Sequence, residues 1–264
     1  MAGSNRRLYS SLDGGRTWQL IPGINGLYLS LYFLNSLQGY AAGFNGLAFT
    51  SDGGKNWMSK PLPSNVTNTQ SWVNVQFATP STGFLTTGAA IYKTNDTGTT
   101  WININPVHSN GVFFSDETTG WAYTDPDSIS MTTDGGSHWH TISTIPTMRN
   151  VQTDLYTVLQ FTDFQHGWFM DADSLSSSND GGLHWTSLST TNNGDATIFT
   201  DFQMLDNQNG YLATPVQIMK TTDGGYTWKQ DYKISPASII SIFFLDAHYG
   251  WACCRKGIVL KYHQ

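Results

Sequence analysis

Glutamate is all but missing from this chain: of 19 acidic residues, every one except Glu117 is aspartate. A helical protein would use glutamate freely, whereas aspartate is the acid that bonds the backbone of turns. Charge of either sign is scarce at 12% of residues, about half the usual share. The net charge of -6 argues against a grip on nucleic acid or an anionic membrane patch. Cysteine is limited to the neighbours Cys253 and Cys254, which excludes a disulfide framework and a CxxC zinc site. A ring between adjacent cysteines is strained, so both are expected as reduced residues of one strand. No apolar run reaches the ~18 residues that a membrane-spanning helix needs. Met1-Ala2-Gly3-Ser4-Asn5-Arg6-Arg7 has no apolar core behind it and is expected not to be a signal peptide. What remains is 14% aromatic residues and 26 glycines in 264 residues, a mixture suited to short strands and tight turns.

A repeat organises the whole chain. The pattern S/T-x-D-x-G-x-x-W begins at Ser11-Leu12-Asp13-Gly14-Gly15-Arg16-Thr17-Trp18 and returns at Thr50, Thr94, Thr132, Ser178 and Thr221, with Thr97 in place of the first glycine in the third copy. Its aspartates are Asp13, Asp52, Asp96, Asp134, Asp180 and Asp223, at steps of 39, 44, 38, 46 and 43. A period near 42 is what four short strands and their turns require. About 17 residues before each later box stands a second motif, an apolar residue, a turn and Gly-aromatic, as in Phe114-Ser115-Asp116 to Gly120-Trp121. The order within a unit is therefore strand A, hairpin, strand B, loop, strand C, Asp-box turn, strand D. The box Asp is expected to accept backbone N–H bonds, its glycines to allow positive φ, and its Trp to anchor the turn from below.

One unit cannot bury both faces of its sheet, so neighbours must stack. The expected fold is all-β, one six-bladed β-propeller over residues 1–264. Its repeats are 27–66, 67–106, 107–147, 151–191, 195–233, and 237–264 joined with 6–22 in a blade shared by the two termini. Leu8-Tyr9-Ser10-Ser11 and Ile258-Val259-Leu260-Lys261 both read as strand C, so one copy is redundant; a seven-bladed or irregularly closed ring is the alternative.

The joined pattern (apolar strand, D-x-x-x-G-W, loop, short strand, T-x-D-G-G-x-T-W) resembles the photosystem II stability/assembly factor-like group of BNR, or Asp-box, propellers. In the photosynthetic members that resemblance implies a non-catalytic chaperone that docks assembly intermediates of a membrane complex through an arginine-rich patch. Here the arginines are only Arg6, Arg7, Arg16, Arg149 and Arg255, scattered along the chain. The expectation is thus a relative from a non-photosynthetic bacterium, extracytoplasmic (secreted or periplasmic) and monomeric. Asp boxes also decorate sialidases, sortilin-type receptors and xyloglucan hydrolases, where they are scaffold.

Regular motifs crowd the side of the A–B and C–D turns, so binding is expected on the opposite side, from irregular loops. Trp72 obeys neither repeat and stands just before a strand A; Tyr28 and Tyr156 hold comparable entries, and Arg149 can meet a carboxylate. Asp201 is the one charge among the small residues Ser30, Asn74, Gly111, Val158 and Ser241 at equivalent strand-A positions. Two D-x-D pairs, Asp125 with Asp127 and Asp171 with Asp173, stand in adjacent B–C loops. Three readings of them stay open: solvated turns, a calcium site built of oxygen ligands, or an acid–base pair. A sialidase mechanism needs an arginine cluster and a Tyr–Glu pair, and Glu117 falls in an A–B hairpin. The expected function is a non-catalytic interaction module for a protein or peptide. A carbohydrate-binding or Asp-based carbohydrate-active propeller is the alternative, with a glycan as its ligand.

Overall fold

The computed structural model describes residues 2–3, 7–24, 28–43, 46–63, 66, 73–87, 90–105, 109–124, 128–145, 157–171, 173–188, 198–233 and 238–263. Within them the fold is all-β, a six-bladed β-propeller of antiparallel sheets, and helix is confined to one short 3-10 segment, Arg255–Gly257. The N-terminal strands β1 (Ala2–Gly3), β2 (Arg7–Ser10) and β3 (Gln19–Leu20) form a three-stranded sheet. Five four-stranded blades follow. The first is β4 (Tyr28–Phe33), β5 (Gly39–Gly43), β6 (Gly46–Thr50) and β7 (Met58–Lys60); the second is β8 (Val73–Phe77), β9 (Gly83–Thr87), β10 (Ala90–Thr94) and β11 (Ile102–Asn105). The third is β12 (Ser109–Phe114), β13 (Gly120–Thr124), β14 (Ser128–Thr132) and β15 (His140–Thr144). The fourth is β16 (Val158–Phe161), β17 (Gly167–Met170), β18 (Leu175–Ser178) and β19 (Thr186–Leu188). The fifth is β20 (Asp201–Met204), β21 (Gly210–Ala213), β22 (Gln217–Thr221) and β23 (Lys229–Lys233). The chain ends in a three-stranded sheet of β24 (Ile239–Phe244), β25 (Tyr249–Cys254) and β26 (Val259–His263). Two compact units divide it, Met1–Asp125 with Ser130–His140, and Pro126–Ile129 with Thr141–Gln264.

Both copies of strand C are strands, β2 pairing with β3 and β26 with β25. The two cysteines are free thiols in β25, as expected.

The hairpin glycines serve a purpose that turn chemistry does not suggest. None of Gly39, Gly83, Gly120, Gly167, Gly210 and Gly250 has positive φ. Each faces the last residue of strand A across the ladder, as Phe77 faces Gly83 and Phe114 faces Gly120. A Cβ at Gly83 or Gly120 would come within 2.5 Å of that ring. The turn itself is bonded by its polar residue: Asp116 Oδ1 accepts from Thr118 N and Thr119 N, and Asp206 Oδ1 from Gln208 N and Asn209 N.

With the glycine out of the way, strand A's ring lies flat, and the aromatic residue of the preceding blade stacks on it. Tyr40 lies 3.7 Å from Phe77, Phe84 3.4 Å from Phe114, and Tyr211 3.5 Å from Phe244, centroid to centroid. Glutamines one residue earlier stitch the same strands. Gln76 pairs its amide with Phe114 N and O, Gln160 with Met204 N and O, and Gln203 with Phe244 N and O. Replacing Gly120 by Ala should cost ~1–3 kcal/mol by overpacking, read as a lower urea midpoint, whereas Gly46→Ala, with no positive φ and its nearest neighbouring atom at 3.9 Å, should cost little. Equal losses at the two sites would refute the ring-packing role of Gly120.

Candidate functional site

The Asp boxes adopt one geometry. The Ser or Thr hydroxyl bonds the Asp carboxylate and accepts from the N–H of the second glycine at 2.7–3.0 Å. The Asp Oδ1 accepts from the N–H four residues on at 2.8–2.9 Å, and Oδ2 takes that residue's side chain: Thr17, Asn56, Thr100, His138, His184 or Thr227. Thr97 adopts the left-handed φ of +61° that glycine supplies elsewhere, a strain of ~1–2 kcal/mol. Box Trp rings meet strand A edge-on, as Trp57 on Phe33 and Trp139 on Phe114. In five blades the box rests on its own A–B hairpin, for example Gly53 N on Leu37 O and Gly224 N on Gln208 O. Both turns therefore share one side, as the repeat order requires. These bonds hold the box carboxylates below the ordinary range. Asp52, Asp96 and Asp180 fall to about 2, led by the Asn56 N–H, the Thr100 hydroxyl and the His184 N–H respectively. Glu117 is engaged too, accepting from the Thr79 and Thr82 hydroxyls of the second blade's hairpin.

Asp201 opens β20. One carboxylate oxygen accepts from Phe202 N at 2.8 Å; the other accepts from Ser241 Oγ and Ile242 N, each at 2.8 Å. At the matching place Ser30 donates to Asn74 and accepts from Val75 N, so a neutral side chain suffices to link two strands A. Dense packing around Asp201 pushes its acid upward, against those three bonds.

Of the expected loop residues, Trp72, Arg149, Tyr156, Asp125 and Asp127 lie outside the described residues. Tyr28 is corrected: its side chain is buried in the first unit's core with Leu8, Ile21 and Ile24, and is not offered to a ligand. The D-x-D pair of the fourth blade is unequal, Asp171 buried and Asp173 exposed. Trp121 and Trp168 are core, as expected, while Trp251 is half-buried.

Sequence reading passed over an open slot of about 540 Å³ on the box side of the fourth and fifth blades. Its lining includes His166, Trp168, Ser177, Asn179, Gln208 and Tyr226. The signal was the residue just before each box Ser or Thr: Ser10, Phe49, Lys93, Met131, Ser177 and Lys220. In the second blade Lys93 lies over the Phe84 ring and donates to Glu117 O at 2.9 Å and Gly135 O at 3.4 Å. Phe49 packs on Tyr40, and Lys220 lies over Tyr211. Ser177 reaches none of this. Trp168, its partner across the ladder, instead donates its indole N–H to Gly224 O at 2.9 Å and floors the space.

No family model and no curated protein matches the chain. Among solved structures it is similar to YCF48 bound to D1 peptide, with a TM-score of 0.76 and 22% identity over 100% of this chain and 88% of that one. YCF48 from Cyanidioschyzon merolae gives 0.76 and 17% over 99% and 90%. A catalytically inactive virginiamycin B lyase from Staphylococcus aureus, solved with quinupristin, gives 0.72 and 13% over 98% and 88%. These likenesses establish the propeller fold.

Two pH effects of opposite sign follow. The box aspartates are depressed when folded, so their contribution is complete above the unfolded value of ~3.9 and is lost as pH falls toward 2. Urea midpoints should drop between pH 4 and 2, and Asp180→Asn should flatten that drop while lowering the midpoint at pH 7. Asp201 is raised, so the folded state holds its proton longer and ionisation above the unfolded value weakens the fold. Asp201→Asn should therefore raise the midpoint at pH 7 with little gain at pH 3. A fall at pH 7 would show that the charge stabilises the strand pair.

Proposed function

We propose that this chain is a non-catalytic interaction module that receives a protein or peptide segment on the loops opposite the Asp boxes. The observation that carries this reading is the engagement of the box carboxylates, Glu117 and Asp201. All eight accept turn or strand bonds. An acid–base pair must exchange protons near neutral pH; the box aspartates, held below their ordinary value by turn bonds, stay ionised, and Asp201, though raised, is committed to Phe202, Ser241 and Ile242. Whole-chain likeness extends to a peptide-bound propeller and to a lyase alike, so the choice between them rests on those carboxylates. Trp72, Tyr156 and Arg149 belong to this reading as an aromatic anchor, a second aromatic and a partner for a peptide carboxylate.

Displayed peptide libraries, with the D1 peptide as a first probe, test it by calorimetry on the folded chain. A peptide should bind with a Kd on the order of micromolar. Trp72→Ala and Arg149→Ala should each weaken that affinity at least tenfold without shifting the melting temperature. Turnover of a polysaccharide that disappears in Asp171→Asn or Asp201→Asn would replace this reading with the carbohydrate-active one.

A further inference from the structure

We propose a second, independent binding site: the slot of the fourth and fifth blades on the Asp-box side takes a neutral, hydroxyl-rich ligand, a saccharide. In the second blade the side chain before the box Thr fills the corresponding place, Lys93 donating to Glu117 O and Gly135 O; in the first and fifth, Phe49 and Lys220 pack on the rings of Tyr40 and Tyr211. Ser177 stops at one hydroxyl, and Trp168 takes over the inter-blade bond from beneath, through Gly224 O. The blades are thus held together with the space above them left unfilled. Its volume of about 540 Å³ lies within the range of small-ligand pockets, roughly 300–1,000 Å³.

The chemistry of the walls selects the ligand. The charges are already engaged. Asp223 accepts from the Thr221 hydroxyl and from both N–H and hydroxyl of Thr227. Asp163 beside the slot accepts from His166 and from Asn207. No Lys or Arg lines the slot among the described residues, so a phosphate or sulfate would find no counter-charge there. What faces the space is neutral and two-handed. The Gln208 and Asn179 carboxamides each carry donors and an acceptor, and Asn179 reaches across to the Tyr226 hydroxyl at 3.4 Å. The Nε2 of His166 adds one more group, since Nδ1 is held by Asp163. Hydroxyls, which donate and accept at once, are the natural complement of such a set. Tyr226 is 57% exposed, an apolar ring face beside polar walls, which suits the C–H face of a sugar ring.

The test uses the full chain and neutral tetraoses (cello-, malto-, manno- and chito-series) in saturation-transfer NMR and calorimetry. At least one should bind. Tyr226→Ala, a surface change, should weaken it at least tenfold with an unchanged melting temperature. Ser177→Lys, which copies the second blade's filler, should abolish it, with circular dichroism confirming the sheet; Gln208→Ala should weaken it several-fold. Peptide binding through Trp72 should survive all three, so failure here is distinguishable from failure of the loop-side reading. The proposal is overturned if no tetraose binds, if binding is undiminished in Tyr226→Ala and Gln208→Ala, or if the slot is occupied instead by the peptide selected on the loops.

Discussion

A flat ring pressed against a bare backbone is the contact on which this fold depends. The final Phe or Met of strand A stands opposite glycine on strand B, leaving no room for even a methyl group. Because nothing props the ring up, its other face is free for the aromatic side chain of the blade before it. Stacks at 3.4–3.7 Å result within each compact unit. Each such pair contributes ~0.5–1.5 kcal/mol beyond its buried area, and the contact recurs from blade to blade. Box Trp rings then close over the outer edge of the same residue, as Trp57 does on Phe33, Trp139 on Phe114 and Trp185 on Phe161. The two sequence motifs are thus not separate devices. One clears the space and the other roofs it.

This economy explains where charge can and cannot act. A chain with 12% charged residues uses its aspartates as bridges between backbone N–H groups, a role that works best with the acid ionised. The box carboxylates are accordingly held low by their own turns. Asp201 is the exception: a carboxylate doing for β20 and β24 what the Ser30 hydroxyl does for β4 and β8, but under packing that disfavours its charge.

The geometry of the box and of the hairpin turn was legible in the sequence because each rests on bonds within about five residues, and the side on which the turns lie followed from the strand order of the repeat. Asp116 and its turn N–H groups, or Thr50 with Asp52 and Gly54, carry their partners with them. What was not legible depends on a neighbour some 40 residues away. Gln76, Gln160 and Gln203 look like ordinary polar strand residues until the next strand A is laid beside them. Tyr28 sits at a loop entry by count, yet the N-terminal sheet covers it with Leu8 and Ile21.

The slot illustrates how a repeat protein gains individuality without disturbing its scaffold. Every structural bond of the fourth box is in place around Ser177: Ser178 holds Asp180 and Gly182, and Asp180 holds His184. The inter-blade bond that Lys93 makes elsewhere is recovered by the Trp168 indole. Stability is therefore decoupled from whatever fills the position before the box, and that column of side chains is free to vary from filler to vacancy. In an architecture whose motif residues are fixed by packing, such interstitial columns are where specificity can be written at little cost to the fold.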